Sequence, residues 1–275
     1  MFRQHIIIYI FSFTALDVFG AVFTYYVVYG LHQDAVSVSG YLSVAALVSV
    51  PSTFVFMMLL EKLNMSPSAA LRLSYGIIFC VLAFLFYVYV TEMAVSMLLF
   101  SAIFAIFGFA RSGLYYIPWN IYSFIPDVDE IVTKKRREGI FAGVMVLTRK
   151  STVALAIMLI GVVLQESGFV KGQGMQPVSA LHAIIGLMIF ATGILLAVSF
   201  YMTFKFKLTR ETHKKLIQEV ARLKLGGDLE DCTPESQKVI KDLTGYDYKD
   251  VWGGSATRKT IRGELPASSG DVVGL

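Results

Sequence analysis

The chain has 275 residues, 56% of them hydrophobic, and 24 Lys and Arg against 20 Asp and Glu leave a net charge of +4. Soluble domains hold about 45–50% apolar residues, so this excess excludes an ordinary water-soluble globule and calls for surface that faces lipid. Two cysteines, Cys80 in an apolar stretch and Cys232 in the polar C-terminal region, exclude a disulfide framework.

Six stretches are long and apolar enough to cross a bilayer, at 6–29, 42–60, 71–90, 94–124, 140–164 and 180–204. The first lacks a short apolar core with a small-residue cleavage site and carries Asp17, so it reads as a retained span. Thr14, Asp17, Ala21 and Thr24 form one polar or small stripe, with Tyr25, Tyr26 and Tyr29 toward the outer end, which predicts that Asp17 faces inward. A charge at the bilayer centre costs about 2.5–3.5 kcal/mol on insertion scales, so it marks a pathway or a coupling task.

Stretches two and four contain Pro51 and Pro118, each a packing kink or a hinge. As a straight helix, 94–124 would rise roughly 46 Å against a hydrocarbon core of about 30 Å, so its inner end is expected to bend or to project into the cytosol. On it Arg111, Tyr115 and Trp119 are spaced by four and share a face. A bidentate cation beside two rings suits a polar ligand in an apolar cavity. The alternative is an Arg111 buried against Asp17 or a backbone carbonyl. Asp127, Asp129 and Glu130 then precede Lys134, Lys135, Arg136, Arg137 and Glu138, which predicts a short cytosolic loop, either solvated or closed by salt bridges as a gate.

Stretch five carries Gly139, Gly143, Lys150, Ala154 and Gly161 at helical spacing, a face on which helices can approach closely. Lys150 is therefore expected to point into the bundle, whereas Arg149, turned by about 100°, meets a different neighbour. At 1.5 Å per residue Asp17 lies about 16 Å and Lys150 about 15 Å from the inner boundary, so the two could meet near the midplane.

Beyond the bundle at 1–204, residues 205–275 form a tail. Its first part, 205–225, is basic and amphipathic and is expected to lie on the inner membrane surface. Thr233, Pro234 and Glu235 read as a helix start, Val239, Ile240 and Leu243 as its apolar face, and Gly245 as its stop. From Ser255 onward the composition predicts disorder.

Arg3, Lys62, Arg72, Lys134 to Arg137, Lys205, Lys207 and Arg210 fall on one side of a six-span weave and Lys171 on the other, so both termini are expected in the cytoplasm. These cations set topology in a lipid bilayer and do not form a nucleic-acid surface. His5, His32, His182 and His213 are scattered, and no hydrolase, nucleotide-binding or metal-ligand pattern appears, so no enzyme, metal or cofactor is expected.

The run Pro118, Trp119, Asn120 through Asp127, Asp129 and Glu130, then Thr133, Arg136, Glu138 and Gly139, a membrane Lys150, and later Ser167, Gly168 and Phe169 resembles the glycoside-pentoside-hexuronide:cation symporters of the major facilitator superfamily. Leu243, Thr244, Gly245, Tyr248 and Trp252 resemble the ending of that family's tail. The resemblance implies an all-α, six-helix bundle of two three-helix repeats, corresponding to the C-terminal half of a twelve-span carrier in the cell membrane. It also implies symport of a sugar with Na⁺ or H⁺ by alternating access, together with a missing N-terminal half or a second copy.

On this reading Asp17, Tyr25, Arg111, Tyr115, Trp119 and Lys150 line the substrate pathway. Asp127, Asp129, Glu130, Arg136, Arg137 and Glu138 form the cytosolic gate. A lipid or lysolipid carrier of the same superfamily and a non-transporting membrane scaffold or inactive truncated product are the other expectations.

Overall fold

The computed structural model describes residues 1–253, so the expected disorder from Ser255 lies outside the described residues. Among those described there is no strand, and six helices are long and apolar enough to cross a membrane. Helices satisfy every backbone group within the segment, which lipid cannot do for them.

Helix α1 spans Phe2–Tyr25 and continues through a π-helical turn, Tyr26–Gly30. Helix α2 spans Ala35–Glu61, α3 Pro67–Thr91 and α4 Met97–Tyr122. The short α5, Ile125–Thr133, precedes α6, Glu138–Glu166. The sixth crossing joins α7, Val178–Ile185, to α8, Thr192–Lys205, through a π-helical segment. The tail supplies α9, Arg210–Lys224, and α10, Pro234–Thr244.

Polar caps carry these helices past the apolar stretches. The Asp34 carboxylate accepts from the Ser37 amide at 2.8 Å, and Ser66 Oγ accepts from the Ala69 amide at 3.2 Å with Pro67 opening α3. Each cap satisfies a donor that the first turn leaves without an intrahelical partner. The excess length of the fourth stretch is a separate helix: α4 stops at Tyr122 and α5 starts afresh with Pro126 in its first turn.

The chain forms two compact units. One comprises residues 3–121 and 144–206, the bundle. Its core is aromatic, with Phe19 4.6 Å from Phe107 and Phe23 4.5 Å from Phe104, ring centroid to centroid. Buried hydroxyls tie its helices together: Tyr26 donates to the Leu85 carbonyl at 2.7 Å, and the Ser12 and Tyr75 hydroxyls lie 2.7 Å apart. In hydrocarbon such pairs replace water that is not available.

The other unit gathers, among the described residues, 1–2, 122–143 and 207–253. Here α5, α9 and α10 pack on one another, burying Val128 and Ile131 with Leu216, Val220, Leu223, Ile240 and Leu243. The apolar residues Leu216, Val220 and Leu223 of the basic amphipathic stretch are thus covered by α5 and α10. The partner surface is the apolar side of α5, which the charged residues around it obscure in the sequence.

Glu219 is buried in this unit and receives Arg222 at 3.1 and 2.7 Å and the Tyr248 hydroxyl. Burial alone would raise its carboxyl, but the hydrogen bonds from Arg222 and Tyr248 outweigh it and hold the group below its usual value. A lowered folded-state value contributes stability above the ordinary carboxylate range that is lost as pH falls through it. Tyr248→Phe removes one donor and should weaken the tail by about 1–3 kcal/mol. Limited proteolysis checks this, with faster cleavage between α9 and α10 as the expected result and an unchanged rate as the contrary one.

Candidate functional site

Two antiparallel rows of side chains, spaced by four, build the site within the bundle. On α1 they are Tyr9, Phe13 and Asp17, and on α4 Trp119, Tyr115 and Arg111. Tyr9 meets Trp119 edge-on at 5.7 Å and Phe13 meets Tyr115 edge-on at 4.9 Å. The next position in each row is charged, Asp17 on α1 and Arg111 on α4. Toward the other end, Phe19 on Phe107 and Phe23 on Phe104 add further ring contacts between α1 and α4. Ring edges presented to ring faces favour this arrangement by about 0.5–1.5 kcal/mol per pair.

Asp17 is held in an ion pair. Arg149 of α6 forks onto Asp17, with Nη2 to Oδ1 at 2.9 Å and Nη1 to Oδ2 closer, and its guanidinium lies 5.0 Å from the centre of the Phe13 ring. The side chains of the pair are only 20% and 23% exposed, which makes this a largely desolvated, bidentate contact. Arg111 sits 5.0 Å above the Tyr115 ring. Beside it a cavity of about 230 Å³ is lined by Ser49, Thr53, Arg111, Ser112 and Tyr115 together with Ala46 and Val50.

Asp17 thus meets Arg149 and not Lys150, which corrects the expected pairing. The buried positions of α6 are Met145, Ala156, Ile160 and Leu164, and Arg149 lies on that face. Gly139, Gly143, Lys150, Ala154 and Gly161 are all exposed, and a Cβ at any of the three glycines would meet nothing within 4 Å. The small-residue stripe therefore faces away from this chain's own helices, and Lys150 goes with it. Tyr25 stacks on Tyr29 with Phe169 against both, two turns from Asp17, so the structure does not bring it to the ion pair.

In the second unit the acidic and basic run is a helix and a short connection, not a loop. Asp129 takes both arms of Arg137 at 2.6 and 2.8 Å. Asp127 receives Arg136 at 3.4 Å and His213 of α9 at 2.8 Å, with the His213 ring 4.1 Å from that of Phe124. Glu130 is met by Lys224 at 2.6 Å, and Arg136 also meets Glu138. The Trp252 amide donates to the Ile131 carbonyl at 3.0 Å, and the Lys134 ammonium lies 5.4 Å from the centre of the Trp252 ring. Two of the three acids, Asp127 and Glu130, therefore hold the tail. They are buried because the tail covers them.

Tyr9 and Phe13 of the membrane site and Lys224 of the tail were not singled out by sequence reasoning, Arg149 was named there without its partner, and His213 only as a scattered histidine. The signal for the first two was present, since Tyr9, Phe13 and Asp17 repeat the spacing of Arg111, Tyr115 and Trp119. Nothing comparable marks His213 or Lys224, whose partners come from a distant part of the chain.

A family model described as MFS/sugar transport protein matches residues 1–210. The chain is also similar to an uncharacterized symporter of Synechocystis sp., at 36% identity over 131 residues, which cover 46% of this chain and 24% of that protein. The matched segment thus spans about a quarter of that relative's length.

Proposed function

Because the chain belongs to the MFS/sugar transport protein family, we propose that its six-span bundle carries a polar, sugar-type substrate across the cell membrane in symport with Na⁺ or H⁺. The Asp17–Arg149 pair beside the Phe13 ring, with Arg111 over the Tyr115 ring, carries this reading. Charge at that depth is expensive and marks a pathway when it turns inward. Trp119 is 42% and Tyr115 36% exposed, so neither ring is fully covered by the bundle.

Alternating access needs two bundles that rock about a midplane site. The open face of α6, with Lys150 among small residues, supports a second six-span bundle, either a missing N-terminal half or a second copy, as the opposite wall. Asp17, the carboxylate at mid-depth, is the coupling residue on this reading, and Arg149 balances it between ion-bound and ion-free states. The acid and base network of α5, with its salt bridges and docked tail, serves as the cytoplasmic closure, and both termini lie in the cytoplasm.

Uptake of labelled sugar by proteoliposomes of the full carrier under an imposed Na⁺ or pH gradient tests the function. Lys150→Ala should abolish accumulation while leaving the protein folded, and unchanged accumulation would remove Lys150 from the pathway.

A further inference from the structure

A cavity of about 520 Å³ lies between α3 and α4 and shares none of its lining with the Asp17–Arg149 pair or with the cavity beside Arg111. Gly76, Cys80 and Phe84 of α3 and Ile103 and Ile106 of α4 wall it with apolar groups, and Arg72 stands at one end. Gly76, Cys80 and Ile106 are exposed, so the cavity is a groove open to the outer surface of the bundle. At 1.5 Å per residue the wall from Arg72 to Phe84 runs about 18 Å. One leaflet of the hydrocarbon core is about 15 Å deep, so the groove matches a single acyl chain in length. Gly76 keeps it wide, because a Cβ there would meet nothing within 4 Å.

The charge at its end selects among lipids. Arg72 Nε donates to the Ser68 carbonyl at 3.2 Å, and the guanidinium carbon lies 4.7 Å from the centre of the Phe204 ring. These contacts hold the group in place, yet among the described residues Arg72 has no carboxylate partner and its Nη hydrogens meet no acceptor. Lys205, the residue after Phe204, adds a second cation at the same end of the sixth span, its ammonium 4.8 Å from the centre of the Tyr201 ring. We propose that this groove holds an anionic phospholipid of the bilayer, with the phosphate on Arg72 and one acyl chain along α3 and α4. A guanidinium fork takes two phosphate oxygens, and a basic group at the end of a groove between membrane helices favours anionic headgroups. In the proposed topology Arg72 lies at the cytoplasmic boundary, so the lipid belongs to the inner leaflet. It is a resident lipid bound outside the proposed substrate pathway, not a cargo.

Native mass spectrometry of the full-length protein in detergent, titrated with phosphatidylglycerol or with phosphatidylcholine of the same chains, tests this. The expected result is one phosphatidylglycerol held at least tenfold more tightly than phosphatidylcholine. Arg72→Gln should erase that preference, and Arg72→Lys should keep part of it. Gly76→Phe sends a ring into the groove and should weaken the binding of both lipids, since the ring takes the place of the chain. Melting is the second measurement: phosphatidylglycerol should raise the melting temperature of the unaltered protein and not that of Arg72→Gln. Equal retention of the two lipids, or a preference that survives Arg72→Gln, overturns the proposal, as does a Gly76→Phe protein that binds both lipids unchanged. A dimer that Gly76→Phe splits into monomers would assign the groove to a second copy of the chain and overturn it as well.

Discussion

Arg149→Ala should leave a folded protein that melts earlier and no longer transports. The substitution strips two guanidinium hydrogen bonds from a carboxylate that is only 23% exposed. Breaking a fully buried pair from one side costs about 3–5 kcal/mol, and the residual exposure brings the expected loss here to about 2–3 kcal/mol. Asp17→Asn should cost less, because Arg149 keeps the Phe13 face. Replacing both residues together, Asp17→Leu with Arg149→Met, should recover most of the stability and none of the transport. Melting in detergent across this cycle isolates the coupling between the two residues. If Arg149→Ala melts with the unaltered protein, the pair does not hold α1 to α6.

Gly108→Leu should prevent the bundle from forming, and Gly108→Ala should already be costly. A Cβ on Gly108 would lie 2.3 Å from the Ala45 carbonyl oxygen and 2.8 Å from its Cα, which are backbone atoms that cannot rotate away. Ser49 Oγ reinforces this crossing of α2 and α4, lying 2.7 Å from the Ala45 carbonyl and 2.9 Å from that of Gly108. Overpacking of this kind costs about 1–3 kcal/mol when neighbours can shift, and the backbone here has little freedom to do so. Gly76→Ala is the control, since a Cβ there meets nothing within 4 Å. The measurement is the fraction of monodisperse protein after extraction from the membrane, together with its melting temperature. A normal yield of Gly108→Leu would show that the two helices are not locked at this point.

The membrane site was half legible in the chain. A charge among apolar residues is visible without coordinates, so Asp17, Arg111 and Lys150 stood out, and four-residue spacing placed Tyr115 and Trp119 with Arg111. The partner of Asp17 was not legible. Helix α6 is apolar on nearly every side, so periodicity gives no preferred face, and the small residues drew attention to the side that this chain leaves uncovered. The choice between Arg149 and Lys150 is a rotation of about 100°, which only the neighbours of α6 decide. The run around Asp127 was harder still. Its acids are buried by α9, which lies some eighty residues further on, and burial of a charge by a remote segment leaves no local pattern.

By itself the sequence determined an all-helical membrane protein with six crossings, because hydrocarbon demands internally bonded segments of a set length and that demand is written residue by residue. It also determined which charges enter the membrane. The tertiary structure alone decided which face of each helix is covered, that the rings of α1 meet those of α4, that Arg149 takes Asp17, and that the tail closes on α5. Those outcomes depend on side chains that meet across eighty to more than a hundred residues. Such contacts are fixed by packing and by the pairing of charges away from water, not by any spacing along the chain.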